Sequence, residues 1–174
     1  MKRYRSNGSW IKLQSEGIPI RRRLGELDLA LIAENARELR KLDLYERELL
    51  DAFVRTNHAD WSLSALRRPF AQADRARLRA AGDPLPGTGP FRIYRGVAGP
   101  EPERRVLGLS WTQSIEQARW FAETNARRFD RDHGDPGVYC VMVGEGDVLA
   151  YIDRREEGEF IVSLPAVTTP ERLE

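Results

Sequence analysis

Cysteine is almost absent from this chain, with Cys140 the only one. A single thiol excludes an intrachain disulfide and a cysteine-based metal site. It falls in the apolar run Val138-Tyr139-Cys140-Val141-Met142-Val143, which predicts an inert buried thiol. Histidine is nearly as scarce. His58 and His133 are far apart and have no ligand spacing around them, so no metal is expected. Long apolar runs are missing too. The longest, around Leu29 to Ala33, is far too short to span a bilayer, and no apolar core follows the basic start Met1-Lys2-Arg3-Tyr4-Arg5. The expectation is a chain that is cytoplasmic at synthesis and has no membrane partner, with delivery to another cell without a cleaved signal left open. Nor is there an excess of charge of one sign. The formal total is +1, which makes no global case for nucleic acid. There is no internal repeat.

What is present is enough for a core. The 174 residues are 41% hydrophobic and 32% charged, which fits one domain, or one domain with a helical extension, and excludes wholesale disorder. The charge is unevenly placed. Residues 1–23 carry Lys2, Arg3, Arg5, Lys12, Arg21, Arg22 and Arg23 against Glu16, whereas residues 144–174 are predominantly acidic. Two solvated faces of opposite sign are the simpler reading; pairing with each other or with separate partners is the alternative.

Along the chain, Trp10-Ile11-Lys12-Leu13 alternates as a short strand does, and Gly17 and Pro19 then break it. Leu27, Ala30, Leu31, Ala33 and Leu39 give one helix over 26–40. Asp43, with Glu46 three residues on, reads as the N-cap of a second helix reaching about Asn57. Asp60 or Ser62 starts a third to about Arg68, and Pro69 opens a fourth that Gly82 ends. Residues 82–90 hold three glycines and three prolines and read as a loop or boundary. There the period changes to 2. Strands are expected over 91–96, 106–112, 138–143, 148–152 and 159–163, with one helix from Ser114 to about Phe129 and a tail from Pro165. The organisation is α+β: a mainly helical N-terminal region, 1–85, followed by an α+β core, 86–174, the two together expected to form one catalytic domain.

Three short pieces of the core carry chemistry. Tyr94-Arg95-Gly96 ends a strand with an arginine fork suited to a phosphate or carboxylate, beside a glycine that lets a ligand approach the main chain. In Ser110-Trp111-Thr112 both hydroxyls face one side of a strand, where they can orient a carboxylate or bind a ribose; helix capping before Ser114 is the plainer alternative. Glu157-Gly158-Glu159 places two carboxylates on one face, able to stabilise an oxocarbenium-like sugar; a solvated turn is the plainer alternative.

Taken together, and in this order, these pieces resemble the mono-ADP-ribosyltransferases of the arginine–serine–glutamate class. The family's first strand ends in aromatic-Arg-Gly, its second carries Ser-x-Ser or Ser-x-Thr before a helix, and its third begins Glu-x-Glu or Gln-x-Glu. The phrases Gly108-Leu109-Ser110-Trp111-Thr112, Ala118-Arg119-Trp120-Phe121-Ala122 and Asp147-Val148-Leu149-Ala150-Tyr151 also resemble bacterial members. The resemblance covers about residues 91–163. It implies a split β-sandwich that binds NAD, with Arg95 on phosphate and ribose, Gly96 on the nicotinamide amide, Ser110 ordering the site with Thr112 in support, and Glu159 on the ribose 2′-hydroxyl. Glu157 would prepare the acceptor. Tyr151 and Phe160 are read as core rather than ring contacts. The implied activity is transfer of ADP-ribose to a macromolecule, with protein arginine favoured and RNA open, in a bacterial toxin or effector with an immunity or antitoxin partner. An NAD glycohydrolase and a catalytically idle binding module are the alternatives.

Overall fold

The described residues begin with a β-hairpin where a strand followed by a break is expected. The computed structural model describes residues 10–56, 61–99, 105–128, 135–153 and 158–173. Strands β1 (Trp10–Ser15) and β2 (Ile18–Arg23) pair antiparallel from Trp10–Arg23 to Ser15–Ile18. The turn between them is Glu16-Gly17, with φ of 52° and 79°. Two successive left-handed residues are what a two-residue type I′ turn requires. Pro19 does not break β2 because it stands opposite Gln14. Gln14 turns its own N–H and C=O away from β2, to the side-chain amide of Asn35, at 2.8 and 2.7 Å. This is therefore a non-hydrogen-bonded pair, where proline's missing N–H costs nothing. The basic triplet Arg21-Arg22-Arg23 belongs to β2 and is exposed.

The same Asn35 divides the first expected helix. Helix α1 (Leu29–Glu34) is capped by Asp28, whose side chain accepts from the Leu31 N–H, and α2 (Ala36–Lys41) begins after Asn35. Asp43 does not open the next helix. It has φ 55°, its N–H donates to the Arg40 carbonyl, and the Leu44 N–H donates to the Leu39 carbonyl. That 5→2 and 6→1 pair is a Schellman motif, so Asp43 closes α2. Helix α3 (Tyr45–Arg55) starts without it and is the centre of the N-terminal unit, with α1, α2 and α5 (Arg75–Ala81) packed on it. Helix α4 (Leu63–Ala71) is capped by Ser62 and runs through Pro69 rather than stopping before it. Leu66, Pro69 and Phe70 share its buried face, the Tyr45 hydroxyl donates to the Pro69 carbonyl at 3.1 Å, and Phe70 meets Phe53 edge-on. Burial of that face offsets the lost backbone bond.

The chain divides into two compact units, Met1–Ala81 and Gly82–Glu174. The Gly/Pro stretch thus belongs to the second unit. Gly82 lies so close to β6 (Val148–Ile152) that a Cβ there would come within 2.6 Å of the Tyr151 carbonyl. That carbonyl accepts the Asp83 N–H at 2.7 Å, and the Asp83 carboxylate accepts from the Asp153 N–H at 2.9 Å. Here glycine permits close packing.

The second unit is an antiparallel sheet with one long helix. Besides β6 its strands are β3 (Phe91–Val97), β4 (Ser110–Thr112), β5 (Gly137–Val143), β7 (Glu159–Val162) and β8 (Glu171–Arg172), in the order β6-β7-β4-β3-β5-β8. The expected second strand is shorter than its apolar run, since residues 106–107 form a turn. The expected tail returns as β8 to the edge of β5. Phe91, Ile93, Trp111, Tyr151, Phe160 and Val162 belong to one buried cluster. On the other face lies α6 (Ile115–Arg128), with Ala118 and Ala122 against Val138. Gly96 is required there, because a Cβ would come 1.8 Å from the Ala118 carbonyl oxygen. The sheet has one weak joint. Strands β3 and β5 pair continuously from Phe91–Val143 to Val97–Gly137, whereas β3 and β4 share only Tyr94–Thr112. Past that pair the two strands part.

Candidate active site

The fork between β3 and β4 gathers the sequence motifs. Thr112 stands opposite Glu159 on β7 and opposite Tyr94 on β3, so Tyr94, Thr112 and Glu159 form a row on one face. Ser110 shares that face, two residues along β4. Its hydroxyl donates to Glu159 Oε1 at 2.5 Å, the short end of the range for a hydroxyl on a carboxylate. This bond crosses the β4–β7 ladder diagonally and fixes the carboxylate. Glu159 is the first residue of β7, partly exposed, and follows Gly158 at φ 52°.

Arg95 occupies the opening of the fork. Its NH1 donates to the Ser110 carbonyl at 2.5 Å and its Nε to the Arg105 carbonyl at 3.2 Å. Where the main-chain ladder stops, a side chain continues it. Burial pulls the Arg95 pKa down to about 10, the Glu159 charge pulls it up, and Arg105 pulls it down. It remains a cation at neutral pH, held in a desolvated place by its carbonyl partners and by the nearby carboxylate. The Arg95 guanidinium thus lies within electrostatic reach of the Glu159 carboxylate, and Ser110 touches both, through its carbonyl and its hydroxyl.

The other sequence candidates divide. Gly96 pairs with Val138 in β5 and lies past the end of the β3–β4 ladder. The contact that demands a glycine at this position is with α6. Thr112 is buried and its Oγ1 accepts the Ser114 N–H at 3.1 Å, while Ser114 accepts the Gln117 N–H at 3.0 Å. Thr112 therefore joins strand to helix, the role its helix-capping alternative describes. Glu157 lies outside the described residues, as do His58 and His133. Tyr151 and Phe160 are buried and stack on each other with centroids 4.8 Å apart, as core. Cys140 is buried, with Glu171 and Arg92 near its sulfur at 3.4 and 3.7 Å.

Two contributors were not singled out from sequence. Gly108 gives Arg95 its place, since a Cβ there would come 2.3 Å from the guanidinium. Its carbonyl accepts the Trp111 Nε1–H at 2.8 Å and its N–H donates to Arg105 at 3.0 Å, which closes the turn. A glycine just before an apolar strand was the visible signal. Tyr94 joins the row of Glu159, which only the register reveals. Among the described residues no group of three or more His, Cys, Asp or Glu is placed to hold a metal ion, and no helix is long and apolar enough to cross a membrane. Compared with protein-family models, curated proteins and solved structures, the chain matches none of them.

Proposed function

We propose that the chain is an NAD-dependent mono-ADP-ribosyltransferase acting on a macromolecule, a toxin or effector of the arginine–serine–glutamate class, with an immunity or antitoxin protein as its partner in a producing cell. The observation that carries this reading is the convergence of Arg95, Ser110 and Glu159, scattered over the sequence, on one fork in the sheet. The single-pair joint between β3 and β4 is what a split sandwich has at its cleft, and ligands favour such clefts. The donor set also fits NAD: a cation for the diphosphate, a carboxylate for a ribose hydroxyl, and a strand edge at Gly96 for the nicotinamide amide.

NAD supplies a glycosidic bond from which nicotinamide leaves with the bonding electron pair, so positive charge develops on the ribose. Glu159 is the group that meets that charge. A fixed anion aimed where positive charge appears lowers the barrier without reorganising at the moment of reaction. Ser110 holds one carboxylate oxygen, so the other geometry of Glu159 is constrained as well. Arg95 braces the Ser110 carbonyl and offers its charge to the diphosphate. The acceptor nucleophile bonds to the ribose carbon that nicotinamide has left, and its proton passes to Glu157 or to solvent. Glu157 is the residue assigned to prepare that acceptor, and it underlies the preference for protein arginine.

The test uses labelled NAD in a bacterial lysate with the full chain and Glu159→Gln, each sample split between protease and RNase. Label removed by protease and absent with Glu159→Gln supports a protein modifier. Label removed by RNase identifies RNA as the acceptor. Free nicotinamide without label indicates a glycohydrolase, and neither product defeats the transferase reading in favour of a binding module.

A further inference from the structure

The N-terminal hairpin is basic on its open face. By alternation Lys12, Gln14, Pro19, Arg21 and Arg23 share one side of the ribbon, and Lys12 stands directly opposite Arg21. All five are exposed. Like charges placed opposite each other destabilise a hairpin. Glu26 reaches Arg23 only loosely, at 3.6 Å and in solvent, a contact of little energy. The other side is committed: Leu13 is buried and α1 packs on β1. Asn35 takes the outer edge of β1. The open face is therefore a cationic strip on a hairpin whose other side α1 packs against.

We infer that this face binds single-stranded RNA through its phosphates. Arg21 and Arg23 are two residues apart on one strand, a step of about 6.6 Å, close to the spacing of successive phosphates along a nucleic-acid strand. Lys12 widens the strip by one strand. A two-stranded ribbon can enter the major groove of duplex DNA, but this one carries α1 on its back, which favours a strand laid across the face over insertion. Single strands in a cell are overwhelmingly RNA. Binding here involves none of the NAD-site residues and holds whether or not the transferase chemistry does.

The test is binding of a labelled single-stranded RNA to the full chain, without NAD, as a function of salt. The Lys12→Glu/Arg21→Glu/Arg23→Glu variant should bind at least tenfold more weakly at low salt. At about 0.7 per phosphate contact on a single strand, the slope of log affinity against log salt should flatten by about 2 for three lost contacts. A second variant, Arg21→Lys/Arg23→Lys, keeps the charge and should keep the binding. Unchanged circular dichroism and an unchanged urea midpoint show that each variant is folded. Equal binding by the reversed-charge variant overturns the inference. So does preference for single-stranded DNA of the same sequence, or binding of polyglutamate in place of RNA, which would make the surface a dock for an acidic protein.

Discussion

The two units use the polar side chains that tie their elements together differently. In the N-terminal unit they chiefly serve the main chain. Asn35 bonds both backbone groups of Gln14, the Gly25 N–H donates to Glu48 at 2.7 Å, the Asp74 N–H donates to Glu46 at 3.0 Å, and the Tyr45 hydroxyl donates to the Pro69 carbonyl. In the sheet unit Arg95 does the same for Ser110 and Arg105, but Ser110 and Glu159 bond side chain to side chain. A polar group that satisfies backbone is explained by the fold. A carboxylate oriented by a hydroxyl at a gap in a sheet is not, and the proposed chemistry is therefore placed on Glu159. The difference yields a rule: groups of the first kind should cost stability when removed, and those of the second should cost activity.

Glu159→Gln puts that rule to its severest trial. Glutamine keeps an acceptor for Ser110 and removes the charge. Nicotinamide release should fall by about 10²–10³-fold, while the melting temperature drops by no more than about 2–4 °C, the equivalent of about 1 kcal/mol, from the lost charge beside Arg95. A large loss of stability with activity spared would reverse the assignment. Arg95→Lys lies between the two kinds. It keeps a cation but loses the fork that spans two carbonyls, so about 2–3 kcal/mol of stability should go, together with weaker NAD binding, read as a raised KM. Unfolding in urea and steady-state kinetics measure the two losses separately.

Asn35→Ala belongs wholly to the structural kind. It leaves the Gln14 N–H and C=O without their amide and should cost about 2 kcal/mol, seen as a lower urea midpoint, with nicotinamide release per folded molecule unchanged. This residue also shows where sequence stops being legible. Nothing in Leu31-Ile32-Ala33-Glu34-Asn35-Ala36 marks a break, because the helix is divided by a hydrogen bond to a strand 21 residues earlier. Pro19 was misleading for the same reason: whether proline breaks a strand depends on which way its partner's backbone faces. Asp43 was read as a helix start because its side chain suits an N-cap, while the left-handed turn that it accepts comes from the preceding helix. In contrast, β5, β6, β7 and α6 match their expected bounds within about two residues. Their alternation and the Ser114–Gln117 cap are local, and local physics is what a sequence displays. The site was half legible. Arg95, Ser110 and Glu159 stood out as strand-edge residues, but the roles of Gly108 and Tyr94 depend on register and close approach between segments.

Glu48 gives the smallest effect and a defined pH dependence. It is fully buried on α3, and burial raises its pKa above the ordinary carboxylate value, only partly opposed by the Gly25 N–H and by Arg47. In the unfolded chain it ionises at the usual value. Below that value both states are protonated and the residue contributes no pH-dependent penalty. As pH rises from the unfolded to the raised folded pKa, the unfolded chain gives up its proton first, so stability falls; above the folded pKa the loss is complete. Glu48→Gln keeps an acceptor for Gly25 and carries no charge to bury. At neutral pH and above it should melt roughly 2–4 °C higher than the parent, the equivalent of about 1 kcal/mol, and the gap should close as pH drops to the ordinary carboxylate range. Melting curves recorded from acid to alkaline pH decide it. A variant that melts lower at every pH would mean that the Arg47 contact, at 3.4 Å, outweighs burial, and that this carboxylate stabilises the helix as an ion.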